Sequence, residues 1–296
     1  MAAVTEPQQA NLRQPAGWRR TKDRIATTAM VIAFVVVIIP LVFVLYTVVA
    51  KGISVISWQF LTGPIPPSVL PADVGGMGPA VLGTIEITAL AAAMAVPLGV
   101  LGAIYLNEYG GNNWLSRFIG FMSDVMTGVP SIVMGLFIFS IWVLHFGFSG
   151  LAGAFALGCL MLPIVIRSTY EMLRLVPDPL REGSYALGSS KSRVTLTVVL
   201  PAALGGIVSG VLLAVARAAG ETAPLLFTIL TVTEANPNVF SGPNTSLPSQ
   251  IFVNASSPYP GAQARGWGAA LTLIAIAFIL MIAARVVTAR FARYSR

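Results

Sequence analysis

Apolar residues in this chain are gathered into long blocks rather than alternated with polar ones. Blocks cover 25–50, 80–106, 117–144, 151–166, 201–230 and 266–288, and shorter polar stretches separate them. A run of about 20 apolar residues crosses a hydrocarbon core of about 30 Å as a helix. Lipid offers the backbone no hydrogen-bond partner, so a spanning run must be helical. The period-two pattern of a membrane barrel is absent. The pattern therefore predicts an all-α polytopic membrane protein with six transmembrane helices. The first block, about 25 residues long, exceeds a signal-peptide core and no small-residue cleavage site follows it, so it reads as a retained helix.

Between the blocks, 51–79 is rich in Pro and Gly, 107–116 and 147–150 read as turns, and 231–265 reads as a polar loop. Residues 1–24 form an expected disordered basic tail, residues 25–290 one transmembrane domain, and residues 291–296 a C-terminal tail.

Composition agrees with the pattern. The chain has 56% apolar and only 10% charged residues, against about a quarter charged in soluble domains. Its net charge of +7 would suit nucleic acid, but the placement of the charges argues otherwise. Fifteen of the 18 Lys and Arg fall in the N-terminal tail, at Arg117, in 167–199 and at the C-terminus. Lys51 and Arg265 fall on the opposite side, and Arg217 lies inside the fifth block. Cytoplasmic loops are enriched in Lys and Arg, so both termini are expected in the cytoplasm of a protein of the plasma membrane, with lipid as its surroundings. Cys159 and His145 are the only residues of their kinds. A zinc site and an intrachain disulfide are therefore not expected. An intramembrane enzyme would need converging nucleophiles and bases that this composition lacks. No catalytic residue, metal or cofactor is expected, and the chain is not read as an enzyme.

The loop 167–201 is far longer than a connector needs to be. Within it Glu182, Gly183 and Ser184 are followed by Gly188, then by Val198, Leu200 and Pro201. Small residues at 183 and 184 let a short helix seat closely on a partner. Gly188 permits a tight turn because it tolerates positive φ. Glu182 suits a helix N-terminus or a basic partner. This spacing resembles the signature of ABC importer membrane subunits: Glu, two small residues, three variable residues, Gly, nine variable residues, an aliphatic, one variable residue, Leu and Pro. Gly183 and Ser184 stand where two alanines are usual, and Val198 where isoleucine is. The resemblance implies a type I ABC importer transmembrane-domain fold, with this loop docking on a separate ATPase subunit. Gly183 and Gly188 also have the outer spacing of a nucleotide-binding phosphate loop, but Ser189 stands where that loop needs Lys. ATP hydrolysis is thus expected of a partner.

Four charged residues lie well inside the expected helices, away from their ends: Glu86, Asp124, Arg217 and Glu221. Charges there are costly and usually face a pathway or a partner. Arg217 falls near the middle of the expected fifth helix, and its guanidinium matches oxyanion geometry. Glu221, four residues on, either neutralises it or shares a pathway with it. Pro130, beside Ser131 and between Gly128 and Gly135, should kink or break the third helix. Asp124, before it, either caps the kinked segment or meets a basic residue.

The segment 216–224 (Ala-Arg-Ala-Ala-Gly-Glu-Thr-Ala-Pro), the stretch from Gly128 to Phe137 and the segment 103–109 resemble phosphate ABC importer permeases. Ser246-Leu247-Pro248 and Gln250-Ile251-Phe252 are similar to their PstA type rather than to the PstC-type sister. The resemblance implies a sister permease of PstC type, a PstB-type ATPase dimer and an extracytoplasmic PstS-type phosphate-binding protein. It also implies a pathway at Arg217, Glu221, Asp124, Pro130 and Ser131. The rival readings are a sulfate or molybdate importer permease, and a channel or intramembrane enzyme. A channel has no need of the loop from Glu182 to Pro201.

Overall fold

The computed structural model describes residues 17–66 and 74–294, so most of the expected N-terminal tail and the last two residues lie outside the described residues. Among the described residues every regular element is helical. Contacts divide the chain into two units, 1–49 and 50–296.

The first unit holds most of helix α1, Gly17–Gly52. It starts eight residues before the expected block, because residues 17–24 carry Trp, Arg and Lys, which suit a helix. Lys22 sits 5.3 Å over the Trp18 ring. Along its apolar stretch Val35, Val37 and Phe43 are exposed, an arrangement suited to lipid and not to water.

The second unit begins with the short helix α2, Trp58–Thr62, which sequence reasoning missed. Ser57 caps it, its Oγ accepting from Phe60 N at 3.0 Å. Helix α3, Gly78–Ile104, runs on through a π-helical segment, Tyr105–Tyr109. Helix α4, Trp114–Gly128, is followed by α5, Ser131–Ile138, which continues through a π segment, Phe139–Val143, into α6, Leu144–Phe146. Helix α7 is Gly150–Arg174, two turns longer than the expected 151–166. Two short helices, α8, Asp178–Ala186, and α9, Lys191–Val194, form the charged loop. A π segment, Thr195–Val199, joins α9 to α10, Leu200–Ala219. Then come α11, Ala223–Thr228, α12, Leu247–Ala255, and α13, Pro260–Tyr294.

Among the described residues, five continuous helical stretches are long and apolar enough to cross a membrane: Arg20–Gly52, Gly78–Tyr109, Gly150–Arg174, Lys191–Ala219 and Pro260–Arg290. The sixth span is a bent pair, Trp114–Gly128 with Ser131–Phe146, turned by 106° at Val129 and Pro130. The third helix is therefore broken rather than kinked. Helix α7 is the centre of the second unit. Its small residues Ala154 and Gly158 and its Leu157 and Met161 face Ile87, Ala91 and Ala95 of α3, and Ala218 and Leu225 join them from α10 and α11. Small residues allow helix axes to approach closely where burial alone drives little association.

The fifth span differs most from expectation. Helical structure starts at Lys191 rather than at Pro201. The π segment precedes Pro201, whose missing N–H cannot reach the carbonyl of Thr197, and a widened turn absorbs that defect. The helix also stops at Ala219, with Gly220 as its C-cap, instead of running to 230. Pro224 in the first turn of α11 restarts it. The 231–265 region holds α12, opened by a Ser246–Ser249 capping box. The C-terminal residues expected as a tail remain helical to Tyr294.

Candidate functional site

Both breaks in the spans lie on one cavity. Its volume is 280 Å³, and Pro130 and Ser131 from the first break line it together with Arg217 and Glu221 from the second. Pro163 and Ile164 of α7 form part of its wall. Non-helical backbone at membrane depth is tolerated where it is buried in protein or lines a cavity, and interrupted spans are the usual sites of solute binding in transporters. Gly135 sets the approach of the two broken segments: a Cβ there would stand 2.7 Å from Pro224 Cα. No side chain caps α5, so its first amide groups, at the positive end of its dipole, have no side-chain partner; Ser131 at this end lines the cavity.

Arg217 occupies the last turn of α10, where a cation complements the helix dipole. This corrects the expected position near the middle of helix 5. Counted from Lys191 at 1.5 Å per residue, Arg217 lies about 39 Å along the span. Glu221 is not on the same helix face as expected, because the helix ends between the two. Arg217 Nε lies 3.8 Å from Glu221 Oε1, longer than a hydrogen bond. The Arg217 side chain is 70% exposed in this chain, and that of Glu221 24%. An exposed pair of this kind contributes about 0–1 kcal/mol. Glu221 thus does not hydrogen-bond the terminal nitrogens of the guanidinium.

Asp124 is elsewhere. It pairs with Arg167 in a second cavity, also of 280 Å³, which Arg117 and Tyr170 line as well. Of the two expectations for Asp124, it meets a basic residue. Arg167 had been read as the start of a loop. It lies on α7, and Asp124, 43 residues earlier, gave no local signal of the pairing.

The loop from α8 to α10 turns at Gly188 as its spacing led one to expect. Helix α8 presents Glu182 and Gly183 to solvent. A Cβ at Gly183 would meet nothing within 4 Å, so the small residue is not required by this chain's own packing. Glu182 sits in the second turn, after Asp178 and Pro177, and does not cap the helix. Ser184 Oγ donates to Leu180 O at 2.8 Å. Gly188 has φ +79°, with open space around its Cβ. Leu187, at the end of α8, is 88% exposed. At the other end of the motif, Val198 and Leu200 pack on a buried cluster that includes Ala103, Leu173, Val176 and Ala203, and Pro201 opens α10.

Comparisons place this architecture. A family model described as "Binding-protein-dependent transport system inner membrane component" matches residues 95–293. The "Phosphate transport system permease protein PstA 1" of Mycobacterium tuberculosis (strain CDC 1551 / Oshkosh) is 45% identical over 276 residues, covering 91% of this chain and 89% of that protein. The PstA protein of Yersinia pestis is 40% identical over 279 residues, 94% of each chain. Among solved structures, an inward-facing form of the MetNI methionine ABC transporter superposes with a TM-score of 0.57 at 18% identity, over 72% of this chain and 94% of that one. That likeness is one of fold, and it supports the type I ABC importer architecture. The chain belongs to the binding-protein-dependent transport system inner membrane components and, within them, to the PstA permeases.

Proposed function

We propose that this chain is the membrane-spanning permease subunit of an ATP-driven importer that moves inorganic phosphate across the plasma membrane. The observation that carries the reading is the likeness to PstA permeases over about nine-tenths of both chains. The cavity at Arg217 supports it chemically. An open guanidinium and the start of a helix offer charge-assisted donors to an oxyanion, and Glu221 leaves the site only weakly neutralised. Arg217, Glu221, Pro130 and Ser131 form the pathway and gate, while Asp124 with Arg167 belongs to the second cavity. The chain performs no covalent chemistry. Energy enters through Glu182, Gly183, Ser184 and Gly188, which dock on a PstB-type ATPase dimer. Val198, Leu200 and Pro201 carry the motion into α10. A PstC-type sister completes the pathway, and a PstS-type protein delivers phosphate from outside.

The direct test is uptake of radiolabelled phosphate by a strain lacking this chain. Plasmid-borne expression should restore it, and excess sulfate or molybdate should not compete. Competition by either oxyanion would reassign the solute.

The charge distribution supports cytoplasmic termini and a cytoplasmic 167–201 loop. In a Cys159→Ala background, Ser241→Cys should react with an impermeant thiol reagent in intact cells, because residue 241 is exposed. Ser190→Cys, also exposed, should react only after permeabilisation. The reverse pattern would overturn the topology.

A further inference from the structure

The loop expected to dock on the ATPase is joined to this chain by more than the covalent link to α10. Arg181, immediately before Glu182, turns inward: its side chain is 13% exposed. Its Nη2 lies 3.1 Å from Glu108 Oε1 and donates to Leu173 O at 2.9 Å. Its Nη1 donates to Val176 O at 2.5 Å and to Asp178 Oδ1 at 3.1 Å. Glu108 is the more deeply placed partner, with only 4% of its side chain exposed, and Asn107 Nδ2 donates to the same oxygen at 2.7 Å. Glu108 belongs to the π segment that ends the α3 span, and Leu173 to the last turn of α7. One guanidinium thus fastens α8 to the ends of two spans. On the other arm of the loop, Lys191 lies 5.3 Å over the ring of Tyr109, in the same π segment.

We infer that Arg181 is a positioning residue: the Arg181–Glu108 joint makes α8 move together with the ends of α3 and α7. The inference rests on the importer reading above. Planar, bidentate geometry lets arginine hold a carboxylate and two carbonyls at once, which lysine cannot do. Buried polar networks in which each member is satisfied behave as rigid links. The link has a destination. Helix α7 packs along α3, and its Pro163 and Ile164 form a wall of the Arg217 cavity. Motion imposed on α8 therefore reaches the cavity through α7, in addition to the route along α10. The π segment is a suitable receiver, since such distortions inside helices often mark functional sites.

The test uses the complete importer, reconstituted with its sister permease, ATPase and binding protein in phospholipid vesicles. Phosphate imported and ATP hydrolysed are measured together. Arg181→Gln should lower phosphate imported per ATP by at least about fivefold, the low end of typical coupling between sites, while the ATPase still co-purifies and hydrolyses ATP. Arg181→Lys should recover part of the ratio. A purely structural role would lower complex abundance, uptake and hydrolysis together and leave the ratio unchanged, and that outcome overturns the inference. Should Arg181→Gln fail to assemble, a second arm decides. In a Cys159→Ala background, Arg181→Cys with Glu108→Cys is joined by a short reducible thiol crosslinker. Crosslinking should raise the ratio and reduction should lower it again. A ratio indifferent to the crosslink overturns the joint. Absence of phosphate import by the wild-type complex would contradict the functional reading and this inference with it, whereas normal wild-type import with an unchanged variant ratio contradicts the joint alone.

Discussion

Arg217→Gln is expected to remove phosphate uptake while leaving the protein in the membrane at normal abundance. The guanidinium reaches Glu221 only through Nε at 3.8 Å, so the fold draws little stability from the pair. An oxyanion in the cavity would draw much more from the open fork. Hydrogen bonds to charged groups contribute about 1.5–3 kcal/mol each. Loss of about 2–4 kcal/mol corresponds to roughly 30- to 900-fold in rate. Lysine should rescue only in part, because it keeps the charge and loses the fork. A purely structural ion pair predicts something else: removing both charges together would restore function. Uptake by the Arg217→Gln, Glu221→Gln double variant, with membrane abundance checked by immunoblot, separates the two. Near-normal uptake would assign Arg217 to structure. Loss of uptake at normal abundance would support the pathway role.

Gly188→Val should have an effect of similar size by a different route. At φ +79° a β-branched residue is strained by about 1–3 kcal/mol, although its side chain would meet no neighbour. The strain is confined to the turn between α8 and α9, away from the spans, so insertion and abundance should be unchanged. Relief of the strain would re-aim α8, whose exposed Glu182 and Gly183, with Leu187 beside them, form the face proposed to dock on the ATPase. ATP hydrolysis by the assembled complex should persist while phosphate import falls to background. Normal import at normal abundance would show that the turn does not transmit coupling.

Much of the fold was legible because lipid imposes its demand on composition. A block of apolar residues long enough to span is helical wherever it faces lipid, and only backbone buried in protein or lining a cavity escapes that demand. Interruptions were harder to read. Gly220 and Pro224 are residue types that end and start helices, yet the apolar block runs straight through them and hides the break at Ala219. Pro201 read as a helix start because proline suits a first turn, but a π segment carried the helix past it. Helix α12 lies in a stretch whose Asn, Ser and Pro content looks like loop, and its Ser246–Ser249 capping box emerges only in the structure.

The site was partly legible for a related reason. Arg217, Glu221, Pro130 and Ser131 stood out because charges and prolines are unusual in apolar blocks, and one cavity gathers all four. Asp124 stood out equally but serves another cavity with Arg167. The Arg181–Glu108 contact joins residues 73 positions apart, in segments where charge is ordinary. No local pattern announces it.

Phosphate is proposed to cross by ATP-driven import through a pathway that this chain helps to form. The most direct test is a vesicle assay with the purified four-component system, comparing accumulation of labelled phosphate and of labelled sulfate with and without ATP on the ATPase side. Phosphate should accumulate against its gradient only when ATP, the binding protein and this chain are all present, with sulfate left at background. Accumulation of sulfate in place of phosphate, or phosphate entry that proceeds without ATP, would contradict this proposal.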